Sequence, residues 1–274
     1  MLRSGRTLSV SEMMFKFCSL VSGSSGNASL VYAQGTGLLI DCGLNGKRAC
    51  AAVAEAGVDA SSLRAILITH EHSDHISGAG VLARRLRLPV YATDKTWQAM
   101  RDAVGPLSDA QIKIVEPGEC FSVGPIGVCA FSTPHDAADP VGYSLFFDRL
   151  KLSVATDMGH ISESAVRALE GSDMVLLESN HDVDMLTNGR YPLFLKRRIL
   201  GEYGHLSNDC AARLAVHLVK NGTRGILLGH LSTENNLPRI AYDTVAQALT
   251  SLGARLGRDV QLAVANRYTL SGIY

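Results

Sequence analysis

A cluster of three histidines and one aspartate, His70 to His75, constrains this chain more than any other feature of its sequence. It reads His-x-His-x-Asp-His and directly follows an apolar run, residues 65–69, of the kind that forms a buried strand. Imidazole and carboxylate groups suit Zn(II), Mn(II) and Fe(II). Within one short turn, His70 and His72 can point to one site while Asp74 and His75 point to a second. We therefore expect a pair of metal ions, an arrangement that supports hydrolytic chemistry.

The alternatives for this cluster are surface histidines or a histidine-rich tract. Neither explains it well, because the cluster is internal, is not repetitive, and places its ligand types at fixed offsets after a strand-like run. A metal site remains the better interpretation.

Apolar runs and turn residues predict two successive blocks of strands, each accompanied by helices. Two such blocks suggest two sheets that face one another, with helices outside. Residues 1–13 read as a disordered extension, and residues 14–274 as one domain. Strands are predicted at 15–20, 30–32, 37–40, 65–69, 90–91, 112–115, 120–123, 126–131, 143–147, 151–154, 174–177, 225–228 and 261–265, and helices at 47–56, 79–86, 94–104, 162–169, 193–200, 208–219 and 238–251.

Composition excludes a strong general attraction to polyanions, because the formal net charge is zero. Any nucleic-acid contact must come from a local patch, and the basic clusters Arg84–Arg87 and Lys196–Arg198 are candidates for one, although a solvated helix face explains each of them better. No apolar stretch has the length of a membrane span, and residues 1–10 lack the apolar core of a signal peptide. We expect a cytoplasmic protein whose six cysteines, none in a Cys-x-x-Cys pair, are buried or inert thiols.

Further metal ligands should follow other strands, since residues at strand ends converge on one edge of a sheet. His135 comes shortly after the run that ends at Phe131, Asp157 after the run that ends at Val154, and His230 after residues 225–228.

With these residues the chain resembles the metallo-β-lactamase-fold hydrolases. The resemblance implies an α/β fold, a four-layer αββα sandwich of two facing mixed sheets with helices outside, and two divalent metal ions, Zn or Mn more than Fe. It implies that His70, His72 and His135 hold the first metal, that Asp74, His75 and His230 hold the second, and that Asp157 bridges them. By the same resemblance Asp41 supports the ligand loop without binding metal.

Four further segments resemble one bacterial branch of this superfamily, called YycJ/WalJ or VicX. They are Phe17–Asn27, Glu178–Asp182, Gly204–Asn208 and His230–Asn236. The resemblance implies 5′-to-3′ exonuclease activity on DNA. Residues 158–229 are too few to contain the inserted β-CASP domain of other nucleases of this fold.

The resemblance also implies a mechanism. A hydroxide between the metals attacks phosphorus, Asp74 orients that hydroxide or takes its proton, and His205 protonates the leaving oxygen. His205 has an alternative interpretation as a structural histidine that caps the helix beginning near Asn208. His181 and Asp182 are weaker candidates for lining the pocket or holding ligand histidines, and the small-residue loop 22–27 could bind phosphate or simply form a tight turn.

Other functions stay open at this point. A small-molecule phosphodiesterase or a glyoxalase-like thioesterase would use the same metals, and a non-catalytic regulatory protein would use only the fold. The complete ligand set argues against the last of these. Nucleic acid, DNA in particular, is the expected partner, no membrane is expected, and the oligomeric state, a homodimer included, is left open.

Overall fold

The computed structural model describes residues 15–272, so the extension predicted at 1–13 lies outside the described residues. The described chain forms two sheets. The first has the strand order β1-β2-β3-β4-β5-β6. Its strands are β1 Lys16–Val21, β2 Ala28–Ala33, β3 Thr36–Ile40, β4 Leu63–Leu67, β5 Val90–Ala92 and β6 Ile112–Ile114.

The second sheet has the order β13-β12-β11-β10-β9-β8-β7. Its strands are β7 Cys120–Val123, β8 Ile126–Ser132, β9 Val141–Phe147, β10 Leu150–Ala155, β11 Met174–Glu178, β12 Gly225–Gly229 and β13 Gln261–Val264. Both sheets are mixed: β3 to β6 pair in parallel, as do β10 to β13, while the remaining pairs are antiparallel.

Alternation along the strands explains why the sheets pack face to face. In β3, Leu38 and Ile40 join the core between the sheets, whereas Leu39 faces the other way. In β11, Leu176 faces the same central core and Leu177 faces outward. All these side chains are buried, because both faces of each sheet are covered. This explains why consecutive residues of these strands are apolar.

Helices cover the outer faces of both sheets. The described chain contains the helices α1 Gly46–Glu55, α2 Ser73–Ile76, α3 Ala79–Leu86, α4 Asp94–Val104, α5 Glu163–Leu169, α6 Val183–Asn188, α7 Leu193–Leu200, α8 Asn208–Lys220 and α9 Pro238–Ser251. Residues of α1, α3 and α4 pack on the first sheet, and residues of α5, α8 and α9 pack on the second. The result is the αββα sandwich expected from the sequence, and that prediction is confirmed. In the described chain, no helix combines the length and apolar content that crossing a bilayer requires.

The prediction that all six cysteines are buried or inert thiols is wrong for two of them. Cys120 and Cys129 occupy facing positions on antiparallel β7 and β8 and form a disulfide. Facing side chains on such strands have their Cβ atoms close enough for an S–S bond, and only the strand register reveals this. Cys18, Cys42, Cys50 and Cys210 are free.

Candidate metal centre

The candidate ligands meet where the carboxyl ends of strands from both sheets lie side by side. His70 to His75 follow β4 and extend into α2. From the second sheet, His135 follows β8, Asp157 follows β10 and His230 follows β12. Since β4 ends beside β3, and since β8, β10 and β12 run in one direction, the topology directs all these loops to a single edge. The carboxyl ends of strands are a common location for binding sites in α/β proteins.

Each of four histidines at this edge has its Nδ1 atom held by the protein. His70 Nδ1 lies 3.0 Å from the Thr69 hydroxyl, and His75 Nδ1 lies 2.8 Å from Asp41 Oδ2. His135 Nδ1 lies 3.0 Å from the Gly204 carbonyl oxygen, and His230 Nδ1 lies 3.0 Å from Glu178 Oε1. Anchoring one ring nitrogen fixes the ring and leaves Nε2 for a ligand, as in many metal sites.

Several inward-facing polar atoms have no hydrogen-bond partner within residues 15–272. These buried, unpaired atoms are Nε2 of His70, His135 and His230 and Oδ2 of Asp157. Because an unpaired buried polar atom is costly, such a group of atoms at one point calls for an additional partner.

The ligand-type atoms form groups of a size suited to single ions. In each group the atoms lie within 4.8 Å of one another. One group contains His70, His72 and His135, and a second contains Asp74, His75 and His230. Asp157 groups with His70 and His75, and in a further set with Glu178, His205 and His230, so its carboxylate lies near residues of both groups.

Electrostatics within the site favour negative carboxylates. Asp157 is buried, yet His230, His75 and His135 lower its pKa below the usual value for aspartate. Asp74 is partly buried, and the nearby His230 and His75 lower its pKa strongly. Both carboxylates are therefore ionised at neutral pH and can bind a cation.

Asp41 supports the histidine loop from the end of β3. It accepts hydrogen bonds from the backbone N–H of Thr69 at 2.8 Å and from the Thr69 hydroxyl at 2.9 Å. It also contacts His75 Nδ1 directly, and Thr69 in turn contacts His70. Asp41 thus orients the start and the end of the His70 to His75 loop.

Glu178, at the end of β11, is a buried carboxylate that contacts two histidines of the site. Its Oε1 atom lies 2.8 Å from His205 Nδ1 and 3.0 Å from His230 Nδ1. Its Oε2 atom accepts hydrogen bonds from the backbone N–H groups of Met158 and Leu206. These contacts, above all those with His205, lower the pKa of Glu178 strongly despite its burial. Glu178 opens the family-like segment Glu178–Asp182, and no role for it was predicted from the sequence.

Three site residues that directly follow strands have a left-handed backbone conformation, which is uncommon for residues other than glycine. The φ angles are +60° at Asp41, +59° at Asp157 and +55° at His230. Strained backbone at such positions persists only where the surroundings hold it, and it is typical of functional sites.

Asn27, in the small-residue loop after β1, was also missed as a site residue. Its Nδ2 atom lies 3.2 Å from Asp74 Oδ2 and 3.0 Å from His75 Nε2. Ser22, at the start of the same loop, accepts a hydrogen bond from the backbone N–H of His230. The loop therefore packs against the ligands, and only Ser24 of this loop is among the residues that line the adjacent cavity.

His181 and Asp182 lie beside the site but not in its cavity. His181 is buried, and its backbone carbonyl accepts a hydrogen bond from Asn208. Asp182 caps α6 by accepting a hydrogen bond from the backbone N–H of Met185. Neither residue is among those that line the cavity in the described structure.

The cavity over the site has a volume of about 220 Å³ and is open to solvent. His205 lines it, with 20% of its side chain exposed. Because Glu178 holds Nδ1, the Nε2 atom of His205 is left to exchange a proton with a bound molecule. The residues lining the cavity are Ser24, His72, Asp74, Asp136, Asp157, Asn180, Tyr191, Leu195, Arg198, Ile199, Gly204, His205, His230 and Ser232.

Comparison with protein families gives a match to the model described as beta-lactamase superfamily domain, over residues 36–230. Among curated proteins, the chain is 40% identical to "Exodeoxyribonuclease YycJ" of Bacillus anthracis over 250 residues, which cover 91% of this chain and 95% of that protein. It is also 40% identical to "Exodeoxyribonuclease WalJ" of Streptococcus pneumoniae serotype 2 over 255 residues, 92% of this chain and 95% of that protein.

Solved structures agree in fold at much lower identity. The metallo-β-lactamase-fold protein YhfI of Bacillus subtilis superposes with a TM-score of 0.66 at 18% identity, covering 94% of this chain and 99% of that one. Unliganded yeast PDE1 superposes with a TM-score of 0.69 at 13% identity, again covering 94% and 99%. These likenesses concern the fold alone.

Proposed function

Because this chain belongs to the metallo-β-lactamase-fold superfamily and to its YycJ/WalJ branch, we propose that it is a metal-dependent phosphodiesterase that acts as a 5′-to-3′ DNA exonuclease. The family predicted from the sequence is confirmed. The observation that carries the proposal is the group of buried, unpaired ligand-type atoms of His70, His135, His230 and Asp157, of which His230 and Asp157 line the open cavity.

Two divalent ions fit this donor set. His70, His72 and His135 would hold one and Asp74, His75 and His230 the other, with Asp157 contacting both, in agreement with how the ligand atoms group. Nitrogen and oxygen donors suit zinc and manganese, and iron as well. Bound there, the pair would lower the pKa of a water molecule and stabilise both oxygens of an in-line displacement at phosphorus.

The protein's own groups supply the proton transfers and the positioning. His205 lines the cavity with Nε2 free, so it can donate a proton to the departing oxygen. Glu178 orients His205 through the 2.8 Å contact between its Oε1 atom and His205 Nδ1. Asp74, also at the cavity, can orient the attacking water or accept its proton.

The choice of DNA as substrate rests on the relatives. Two curated relatives that match more than nine-tenths of this chain are named exodeoxyribonucleases. A DNA substrate suits a location in the cytoplasm, where we propose that the protein acts.

The test is an exonuclease assay on DNA labelled at either the 5′ or the 3′ end, with Mn(II) or Zn(II) added. We expect stepwise loss of nucleotides from the 5′ end, hydrolysis of bis-p-nitrophenyl phosphate, and no turnover of S-lactoylglutathione. His72→Ala should abolish both phosphodiester activities and reduce the bound metal measured by elemental analysis. His217→Ala, a histidine on α8 that contacts Glu170 outside the site, is the matched control and should change neither. Turnover of the thioester without either phosphodiester would contradict the proposal.

A further inference from the structure

Helix α7 exposes an apolar surface next to the candidate metal centre. Among the residues described here, α7 contains none that is fully buried. Phe194 is 74% exposed and Leu193 is 62% exposed. Leu200 and Tyr203, further along the same segment, are also exposed. A monomer rarely concentrates large apolar side chains on one short helix without a binding partner.

The same segment is strongly basic. Residues 190–200 contain Arg190, Lys196, Arg197 and Arg198 and no acidic residue, in a chain whose net charge is zero. Arg198 is paired with Asp136, and the Lys196 ammonium donates a hydrogen bond to the Thr187 carbonyl oxygen. Arg190 and Arg197 are exposed. The surface therefore combines apolar side chains with positive charge.

The position of α7 connects this surface to the cavity. Leu195, Arg198 and Ile199, which share one face of the helix, line the cavity together with Tyr191. After α7 the chain leads directly to His205, and this segment is tied to the site because Asp136 N–H donates to the Tyr203 carbonyl oxygen. The surface of α7 therefore adjoins the candidate metal centre.

We propose that α7 and Arg190 form the surface that binds a single-stranded end of the substrate, with Phe194 stacking on a base and Arg190 and Arg197 contacting phosphates. The inference rests on the proposed function and specifies its substrate. An exposed aromatic ring can stack only on a base whose face is free, which unpaired bases offer and the interior of a duplex does not. Cationic side chains beside such a ring follow the backbone of the strand.

Charge argues against a second copy of this chain as the occupant. A two-fold interface would place α7 opposite α7, and the cations of one copy would face those of the other. A polyanion is complementary to the same surface.

The first test measures KM, kcat and binding for a single-stranded oligonucleotide with the full-length, metal-loaded protein. Phe194→Ala should raise KM about tenfold, with kcat at saturation much less affected, because a stacked base contributes to binding by about this factor. Phe194→Trp should restore the original KM, since it keeps a stacking face. Tyr268→Ala removes a comparably exposed aromatic residue elsewhere and should leave KM unchanged. Anisotropy with a phosphorothioate oligonucleotide should report the same loss of binding as KM.

The second test concerns charge. Arg197→Ala should reduce the slope of log affinity against log salt by about 0.7, the value for one phosphate contact on a single strand. Arg101→Ala, at an exposed arginine on α4 outside both basic clusters, is the matched control and should leave the slope unchanged.

The outcomes separate this inference from the proposed function. If the unmodified protein cleaves DNA and Phe194→Ala has an unchanged KM, the inference is overturned and the proposed function stands. If the unmodified protein hydrolyses no phosphodiester, the proposed function itself fails. If Phe194→Ala converts a dimer into a monomer in light scattering while oligonucleotide binding is unchanged, α7 is a contact between copies and the inference is also overturned.

Discussion

The candidate ligand histidines differ in their pKa values, and the difference follows from the groups that surround each imidazole. Burial disfavours a charged His75, but Asp41, Asp157 and Asp74 outweigh it and raise the pKa of His75 to about 9. Burial and neighbouring imidazoles lower the pKa of His70 well below its usual value. Asp157, together with Asp74 and Glu178, raises the pKa of His230 well above the usual value despite its burial. At pH 7 the metal-free site therefore holds protons on His75 and His230.

Metal binding should release these protons, since only a neutral imidazole binds a metal. In titration calorimetry at pH 7, we expect the enthalpy of Zn(II) or Mn(II) binding to vary with the ionisation enthalpy of the buffer, and affinity to decrease as the pH falls. A folded-state pKa of about 9, above the value of about 6.5 in an unfolded chain, means that His75 stabilises the metal-free protein below pH 6.5 and loses this effect as the pH rises through 9. The melting temperature of the metal-free protein should reflect this loss between pH 6.5 and 9. A metal-binding enthalpy that is the same in every buffer would contradict the assignment of protons to His75 and His230.

His205→Ala should lower kcat on DNA by a factor of about 10² to 10⁴, the usual contribution of a general acid. Because His205 lies at the cavity while the ligand set is complete without it, the bound metal should be retained. Hydrolysis of bis-p-nitrophenyl phosphate should fall far less, since p-nitrophenolate leaves without protonation. An equal loss on both substrates would show that His205 does something other than protonate the leaving oxygen.

Glu178→Gln should have a broader effect, because Glu178 holds His230 as well as His205. We expect turnover to fall and metal affinity to weaken by about 10- to 100-fold, as is typical when the partner of a ligand histidine is altered. Competition with a fluorescent chelator measures the affinity. Glu170→Gln, which alters the carboxylate that contacts His217 on the surface, is the control. Unchanged metal affinity in Glu178→Gln would limit Glu178 to orienting His205.

At the scale of elements, strand ends determine the site, and this explains which parts could be predicted from sequence. The convergence of the loops could be predicted because His70, Asp157 and His230 each follow an apolar run of strand length. The carboxyl ends of such strands share one edge of the sheet. Each predicted helix is present, with ends that differ by at most one residue. Glu178 carried a usable signal, since a single acidic residue closes the apolar strand β11.

Other features had no comparable signal. Helix α2 has only four residues, which is too short for a helical period to be visible. Helix α6 is also short, although Asp182 is a preferred N-cap residue. The contact of Asn27 with Asp74 and the disulfide between Cys120 and Cys129 depend on packing and register that no local pattern specifies. The exposed apolar face of α7 could not be predicted from the sequence either, because the exposure of a side chain is a property of the folded chain.

Gly43 allows two loops of the site to approach each other, and replacing it should disturb α2. A Cβ atom at Gly43 would lie 1.7 Å from the Asp74 carbonyl oxygen and 2.6 Å from the Asn27 nitrogen. Because both contacts are with backbone, Gly43→Ala should move the start of α2, lower the free energy of unfolding by about 1–3 kcal/mol and weaken metal binding. Gly127→Ala is the control, since its Cβ would meet an ordinary contact at 3.5 Å. Urea denaturation and metal titration of both variants measure these effects, and similar behaviour of the two would contradict the explanation.

At the scale of the whole molecule, the site requires that the two sheets hold a fixed relative position. The first sheet supplies His70 to His75, and the second supplies His135, Asp157 and His230. Apolar packing between the sheets gives no direction to their alignment, because it is roughly proportional to buried area. A buried hydrogen bond between the sheets is directional and can therefore fix their alignment. Tyr143, on β9, donates from its hydroxyl to the Ile68 carbonyl oxygen at 2.9 Å, two residues before His70.

Tyr143→Phe removes this hydrogen bond and keeps the ring that fills the core. Tyr143 is fully buried, so the Ile68 carbonyl would lose its hydroxyl partner where water is excluded. The free energy of unfolding should fall by about 1–3 kcal/mol in urea denaturation, the usual cost of leaving a buried polar group unpaired. Since Ile68 leads into the ligand loop, the metal-loaded protein should also show weaker metal binding, whereas Tyr268→Phe, at an exposed position, should change neither quantity. A stability loss with unaltered metal affinity would mean that the bond stabilises the sandwich without aligning its sheets at the site.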